Sequence, residues 1–298
     1  MSDVEALHAV AAEISARLRV SCRPGPERAV HGGSICACYL WRAGERELFV
    51  KIAPASSLDM FEAEADGLRE LAGAAAVRVP QVLAVGTAGP SAYLALEWIE
   101  TGPADEATEA ALGQQLARLH RKTAQRHGWW RDNYIGRTPQ VNGWMDDWTA
   151  FFRERRLRYQ LDLAVRNGYG AQLEARGERL LEVLGALLAG HRPVASLLHG
   201  DLWGGNWLAG SGGQPVIFDP AVYYGDRETD LAMTHLFGGF GRRFYRAYME
   251  AWPLPEGHEL RREIYNLYHV LNHANLFGGG YVQQARRMID RLLSEAGC

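Results

Sequence analysis

The sequence predicts an α+β chain of two lobes, a small β-rich one followed by a larger, mainly helical one. Three observations predict it. Up to about residue 100 the apolar residues fall mostly in short extended runs. Beyond Thr101-Gly102-Pro103 nearly every apolar run recurs at helical spacing. The exception, 197–219, sets short apolar runs around a glycine-rich loop. A length of 298 residues is near the size at which one hydrophobic core divides in two. The boundary falls near residue 100, giving lobes 1–100 and 101–298.

In chain order, Leu7, Val10, Ala11, Ile14 and Leu18 form the buried stripe of an opening helix. Extended runs follow at Ala29-Val30, 34–41 and 48–52. The last two are separated by Arg42-Ala43-Gly44-Glu45-Arg46, the composition of a hairpin turn. Met60-Phe61, Leu68 and Leu71 mark a second helix that carries Glu62 and Glu64. Strands at 80–85 and 93–99 flank the turn Gly86-Thr87-Ala88-Gly89-Pro90. The second lobe reads as helices over 107–121, 145–165, 172–188, 228–236 and 261–276. No internal repeat or low-complexity tract interrupts it.

Composition narrows the partners. There are 32 Lys+Arg against 35 Asp+Glu, a formal net charge of −3, which argues against a chain that coats nucleic acid or an anionic membrane. Hydrophobic residues at 47% and charged residues at 22% exclude a disordered chain. No apolar run is long enough to span a bilayer, and Glu5, His8, Glu13, Arg17 and Arg19 break up any export signal at the N-terminus. Cys22, Cys36, Cys38 and Cys298 have neither zinc-type spacing nor a disulfide framework, so the expectation is reduced thiols in a cytoplasmic protein.

The chemistry concentrates in Leu198-His199-Gly200-Asp201-Leu202-Trp203-Gly204-Gly205-Asn206 and Val216-Ile217-Phe218-Asp219-Pro220. Asp and Asn commonly cap turns, and for either residue alone that would be the reading. Together, His-x-Asp-x-x-x-x-Asn and an apolar strand leading to Asp match a kinase catalytic loop and its metal-binding aspartate. Phosphoryl transfer from ATP needs a group that receives and orients the acceptor hydroxyl, and oxygen ligands for Mg²⁺. Asp201 suits the first task, Asn206 and Asp219 the second.

Upstream, Lys51 interrupts the apolar strand Phe49-Val50-Lys51-Ile52, a costly place for an ammonium unless it meets an anion. The anions on offer are nucleotide phosphates and a glutamate of the next helix. Glu64 lies four and seven residues before Leu68 and Leu71, beside the buried stripe, and Glu62 faces solvent. Gly32 and Gly33 open a turn where backbone N–H groups can approach phosphates, although most glycine pairs are only turns. The run ending Glu97-Trp98-Ile99 reaches the lobe boundary, where an exposed backbone edge would pair with adenine; a plain linker would look the same. Asp230, at the start of a helix, His199 and His120 read as structural. Asp226 and Arg227 are open between substrate contact and a local ion pair.

Nearly the whole chain resembles the fructosamine kinase (ketosamine-3-kinase) family, within the aminoglycoside-phosphotransferase-like group of protein-kinase-like folds. The resemblance is carried by Phe49-Val50-Lys51, Phe61-Glu62-Ala63-Glu64 and Asn133-Tyr134-Ile135-Gly136 with Gln140 and Asn142. It continues through Asp201-Leu202-Trp203-Gly204-Gly205-Asn206, the run Asp219 to Glu228, and Leu271-Asn272-His273-Ala274-Asn275-Leu276-Phe277-Gly278-Gly279. It implies ATP-dependent phosphorylation of the 3-hydroxyl of a ketosamine, a small-molecule glycated amine, with later loss of the phosphate and release of the amine. It also implies that Trp203 and His273 contact the sugar; by themselves these would read as a core tryptophan and a satisfied buried histidine. Where this family more often shows a polar residue in the glycine loop, this chain has Cys36 and Cys38, so redox control through Cys36 is a hypothesis.

Three rivals are weighed. Ten residues between Asp219 and Asp230, and Pro220-Ala221 in place of Phe-Gly, disfavour a protein kinase. An aminoglycoside or choline kinase would need carboxylates or an aromatic cage for a cationic substrate. A non-catalytic scaffold would lack part of the set Lys51, Asp201, Asn206 and Asp219.

Overall fold

The computed structural model describes residues 3–25 and 36–297. The expected strand at Ala29-Val30 and the pair Gly32-Gly33 lie outside the described residues. Helix α1 (Asp3–Leu18) leads to β1 (Cys22–Arg23), β2 (Ala37–Ala43) and β3 (Arg46–Pro54). A 3₁₀ turn at Ala55–Ser57 then opens α2 (Leu58–Gly73), followed by β4 (Val82–Ala88) and β5 (Ser91–Glu97). These five strands form one antiparallel sheet in the order β1-β2-β3-β5-β4.

The two helices cover opposite faces of that sheet. Tyr93 and Ala95 of β5 join a core with Val10, Ala11 and Ile14 of α1, and Ala92, Leu94 and Leu96 join one with Phe61, Ala65 and Leu68 of α2. A strand buried on both sides reads as a continuous apolar run, which is why β5 shows no polar alternation. The same period of two operates in β3. Leu48 and Val50 face α1, and Phe49 and Ala53 face α2. Lys51, between Phe49 and Ala53, is therefore delivered to the α2 side.

The second lobe opens with α3 (Glu106–His120), whose first turn is capped by Asp105 accepting from the Thr108 N–H at 2.8 Å. Next come β6 (Thr123–Ala124), the hairpin β7 (Asn133–Ile135) and β8 (Thr138–Gln140), and α4 (Trp148–Phe151). Helices α5 (Tyr159–Ala164) and α6 (Gly170–Leu187) follow, then β9 (Ala195–Leu198), β10 (Trp207–Ala209), β11 (Pro215–Ile217) and β12 (Tyr223–Gly225). The chain ends with α7 (Glu228–Leu236), α8 (Arg242–Ala251), α9 (His258–Phe277) and α10 (Gly280–Glu295). Helix α9 runs through the middle of this lobe, with Ile264, Leu267, Val270 and Leu271 fully buried.

The single helix expected over 145–165 is corrected. Regular helix begins at Trp148 and gives way to π-helical turns over Phe152–Arg158 and Val165–Tyr169. The first of these carries Arg156, fully buried. Its guanidinium donates to Val141 O and Asn142 Oδ1, both at 2.7 Å, and lies 4.0 Å from the Tyr223 ring centre. Within the second, Gly168 at φ +88° turns the chain into α6, a backbone angle that glycine adopts without steric cost.

Helix α2 is docked onto the second lobe as well as onto its own sheet. Arg131 reaches Asp59 Oδ1 at 2.7 Å and Asp66 Oδ2 at 2.6 Å, Tyr134 donates to Asp59 at 2.9 Å, and Tyr224 donates to Glu70 at 2.7 Å. Elsewhere α3 and α8 approach so closely at Gly113 that a β-carbon there would strike the Phe244 carbonyl. Gly113→Ala is expected to cost about 1–3 kcal/mol through overpacking. Urea unfolding should show a lower midpoint at unchanged slope, and an unshifted midpoint would contradict this packing.

Candidate active site

Three segments meet at Lys51. Its ammonium, on a residue only 5% exposed, donates to Glu64 Oε1 and to Asp219 Oδ1, each at 2.7 Å. Burial alone would lower the lysine pKa, but the two carboxylates outweigh it and hold the group well above its ordinary value, so the charge persists. Glu64 rather than Glu62 is the partner, and Glu62 is exposed, as the helical spacing predicts. Asp219 sits 168 positions along the chain, at φ +55°, a backbone strain that non-glycine residues seldom carry.

The loop after β9 presents Asp201. Asp230 accepts the N–H groups of His199 and Gly200, both at 2.8 Å, and meets His120 Nε2 at 3.1 Å. Burial would raise the Asp230 pKa; the His120 and backbone bonds override it and hold the carboxyl below its usual range. His199 Nε2 donates to Phe218 O at 2.9 Å, which makes Nδ1 an acceptor for the Asp201 N–H at 3.3 Å. Gly200 has φ +85°, and a β-carbon there would collide with Ala221 O. The loop is thus fixed by backbone bonds, and His199 carries structure, not protons.

Asp201 itself is partly buried. Burial, reinforced by the negative charges of Asp219 and Asp230, pushes its pKa up to about 7, against a lowering bond from Asn206. Asn206 Nδ2 donates to Asp201 O at 2.9 Å and reaches Asp201 Oδ2 at 3.4 Å. With its amide nitrogen committed to the loop, Asn206 keeps its side-chain oxygen for another partner. That oxygen and the Asp219 carboxylate are hard donors of the kind magnesium takes.

An amide cluster braces the segment that follows Asp219. Asn133 Nδ2 donates to Val222 O at 2.8 Å, and Gln140 Nε2 to Ala221 O at 3.0 Å. Asn142 Nδ2 reaches Asn133 Oδ1 at 2.6 Å, and Tyr268 donates to Gln140 Oε1 at 2.7 Å. These amides hold the chain where Asp219 leaves the strand.

The remaining expectations separate. Glu97 spends its carboxylate on Arg78 Nη2 at 2.6 Å and the Gln81 N–H at 3.2 Å, and its own N–H on Gln81 O at 2.8 Å, so only its carbonyl is offered to a nucleotide. Ile99 is buried, and no hydrogen bond engages its peptide groups among the described residues. Trp203 is 40% exposed, no core residue; its indole folds over Gly205, where a β-carbon would overlap the ring. His273 lies on α9, its Nδ1 donating to His269 O at 2.8 Å. Phe237 connects the two, 6.3 Å from Trp203 and 4.7 Å from His273 between ring centres. Cys36 Sγ and Cys38 Sγ are 3.8 Å apart, and Cys38 pairs with Lys51 across β2 and β3.

Asp226 and Arg227 form local contacts. Asp226 accepts from Tyr265 and meets His191 Nε2, both at 2.6 Å, while Arg227 stacks 4.0 Å from the Trp252 ring centre. His191, Asp226 and Glu228 are grouped as metal ligands could be, but Arg261 occupies both Glu228 oxygens at 2.7 and 2.9 Å. Sequence reasoning passed over Phe237 and Tyr281, because isolated aromatic residues give no signal of convergence.

Comparison with known proteins agrees with this geometry. Residues 6–295 match the model of the family described as fructosamine kinase. A probable ketoamine kinase of Synechocystis sp. is 44% identical over 95% of this chain and 96% of its own. The chloroplastic protein-ribulosamine 3-kinase of Oryza sativa subsp. japonica is 39% identical over 89% of this chain and 78% of its own. The crystal structure of a protein assigned as a fructosamine-3-kinase, from Haemophilus somnus 129PT, superposes with a TM-score of 0.90 at 27% identity, covering 97% of this chain and 99% of that one.

Replacing Asp230 by Asn leaves one weaker acceptor for two loop N–H groups and His120, and is expected to cost about 3 kcal/mol. Because the folded-state pKa is depressed, this stabilisation is full above the usual carboxylate range and is lost as pH falls through the folded value. Denaturation at neutral and acidic pH checks it: the gap between wild type and variant should narrow in acid.

Proposed function

The chain belongs to the fructosamine kinase family, and from that premise we propose that it transfers the γ-phosphoryl group of ATP to the 3-hydroxyl of a ketosamine, with Asp201 as the base. The observation that carries the assignment of roles is the convergence of Lys51, Glu64 and Asp219 beside Asn206 and Asp201. ATP would lie between the lobes, its phosphates against the Lys51 ammonium that Glu64 holds in place. Adenine would pair with the Glu97 carbonyl and the Ile99 peptide; Gly32 and Gly33, the phosphate-binding residues proposed from the sequence, lie outside the described residues. Asn206 and Asp219 would hold magnesium, which when bound neutralises charge on the transferring group.

Asp201 receives the sugar hydroxyl. A carboxylate whose pKa is about 7 is a better proton acceptor than an ordinary aspartate and is still substantially ionised at neutral pH. In a loose phosphoryl-transfer transition state the proton moves late, so the main work of Asp201 is to orient the nucleophile. Fixing the loop through Asp230 and the two backbone N–H groups serves that purpose, since positioning supplies much of the rate. Trp203 offers an indole face to the C–H side of a sugar, and His273 an imidazole nitrogen to its hydroxyls.

The product carries phosphate on the carbon next to the carbonyl. Enolisation toward the amine-bearing carbon lets the phosphate leave, and hydrolysis of the resulting imine frees the amine. The activity is therefore the first step of a deglycation.

Asp201→Asn is expected to lower kcat by on the order of a hundred- to ten-thousand-fold while the KM for ATP stays within about twofold. Near-normal turnover would remove Asp201 from its role. ATP turnover against fructosyl, ribulosyl and erythrulosyl amines, choline and aminoglycosides tests the substrate class. Activity confined to the last two would move the function and leave the fold assignment intact. Chelation of divalent ions should abolish turnover, and added magnesium should restore it.

A further inference from the structure

Beyond the sugar site, α9 and its neighbours carry aromatic rings that the transfer reaction does not use. Phe237, Phe277 and Tyr281 surround His273 with ring centres at 4.7, 5.7 and 5.1 Å, and Phe277 and Tyr281 are 6.4 Å apart. Phe237 is 39% and Phe277 57% exposed, so the group opens to solvent at these two rings, while Tyr281 packs against the core behind them. It is continuous with the catalytic loop at two points. Trp203, whose N–H donates to Asp201 O at 3.2 Å, touches Phe237, and the Gly238-Gly239 turn beside Phe237 lies against Gly204. Glycines on both sides, Gly204 and Gly239, permit that approach; a β-carbon at either would clash with the opposite backbone.

Resting on the proposed reaction, we infer that Phe237, Phe277 and Tyr281 form with His273 an aromatic subsite for the amine-bearing end of the substrate, a secondary ammonium and the substituent it carries. The amine nitrogen is three bonds from the carbon that bears the reacting hydroxyl. With that hydroxyl on Asp201 and the sugar against Trp203, the nitrogen and its substituent leave the sugar site toward the next surface, which is this aromatic group. A cationic nitrogen with an alkyl chain is the chemistry such a surface holds, since π faces attract an ammonium and bury methylene groups.

The state of His273 agrees. Its Nδ1–H donates to His269 O, which leaves Nε2 with a lone pair and no proton. Burial lowers its pKa, so the ring is neutral at physiological pH and does not repel an ammonium. Neutral Nε2 can accept from the substrate N–H or from a sugar hydroxyl. Specificity for an amine would then come from aromatic rings and one acceptor nitrogen.

The test compares three acceptors at saturating ATP: an N-alkyl ketosamine, the 1-O-alkyl ketose of equal length, which is uncharged, and the free ketose. Wild type should favour the ketosamine over the ether in kcat/KM by about tenfold, as two or three exposed cation–π contacts together would give. Phe277→Ala and Tyr281→Ala should each raise the ketosamine KM at least fivefold and bring the ratio toward one, and Phe277→Tyr should retain it. Phe277 is the first variant to make, because its exposure removes the risk of misfolding. An undiminished ratio in both alanine variants overturns the subsite while leaving the proposed reaction standing. A change of elution volume on size exclusion with an undiminished ratio also overturns it and assigns the patch to self-association. Wild type that phosphorylates no ketosamine, but does turn over choline or an aminoglycoside, overturns the underlying reaction and the subsite with it.

Discussion

A lysine ammonium buried between two carboxylates is the constraint that the rest of the structure answers to. Removing a charge from water costs several kcal/mol, and only close, well-oriented partners recover it. Lys51 has two, one from the helix that covers its own sheet and one from the second lobe, just after β11. For both to arrive, β3 must be in register so that position 51 faces α2, and α2 must expose position 64 at the rim of its buried stripe. The chain must also turn sharply at Asp219. A one-residue slip in the strand would turn the ammonium to the α1 side, into the apolar cluster of Trp41 and Tyr93.

The polar interior of the second lobe follows the same logic with neutral groups. Ala221 and Val222 are buried, yet they carry carbonyls that need donors. Gln140 and Asn133 supply them, and Asn142 and Tyr268 satisfy those amides in turn. Asp230 does for two N–H groups of the catalytic loop what the amides do for the carbonyls. The result is a loop and the segment after Asp219 tied to each other directly, through Ala221 N–H on His199 O at 2.8 Å.

Much of this was legible in the sequence wherever the chemistry was locally improbable. A lysine inside an apolar strand, an Asp and an Asn five residues apart in a glycine-rich loop, and a second Asp closing a strand each need a reason. The common reason named the fold and the side chains that the structure brings together around Lys51. Choosing Glu64 over Glu62 needed only helical spacing. What stayed hidden comes from convergence without local oddity. Phe237, Phe277 and Tyr281 are ordinary residues in separate segments, and only the packing of α9 against α10 and the loop after α7 brings them together. The π-helical turns were equally silent, because Arg156 in a helix reads as an exposed cation until its aromatic and carbonyl partners are known. Asp226 and Arg227, left open between two roles, prove to serve a network with His191, Tyr265 and Trp252.

The double attachment of α2 has a consequence for control. In kinases that are switched on and off, the corresponding helix swings, and its glutamate engages the lysine only in the active state. Here Asp59, Asp66 and Glu70 moor the helix to Arg131, Tyr134 and Tyr224 of the other lobe, with Glu64 already engaged. A helix held from both sides leaves the lysine paired at all times, so throughput follows the arrival of the acceptor and not a swing of this helix.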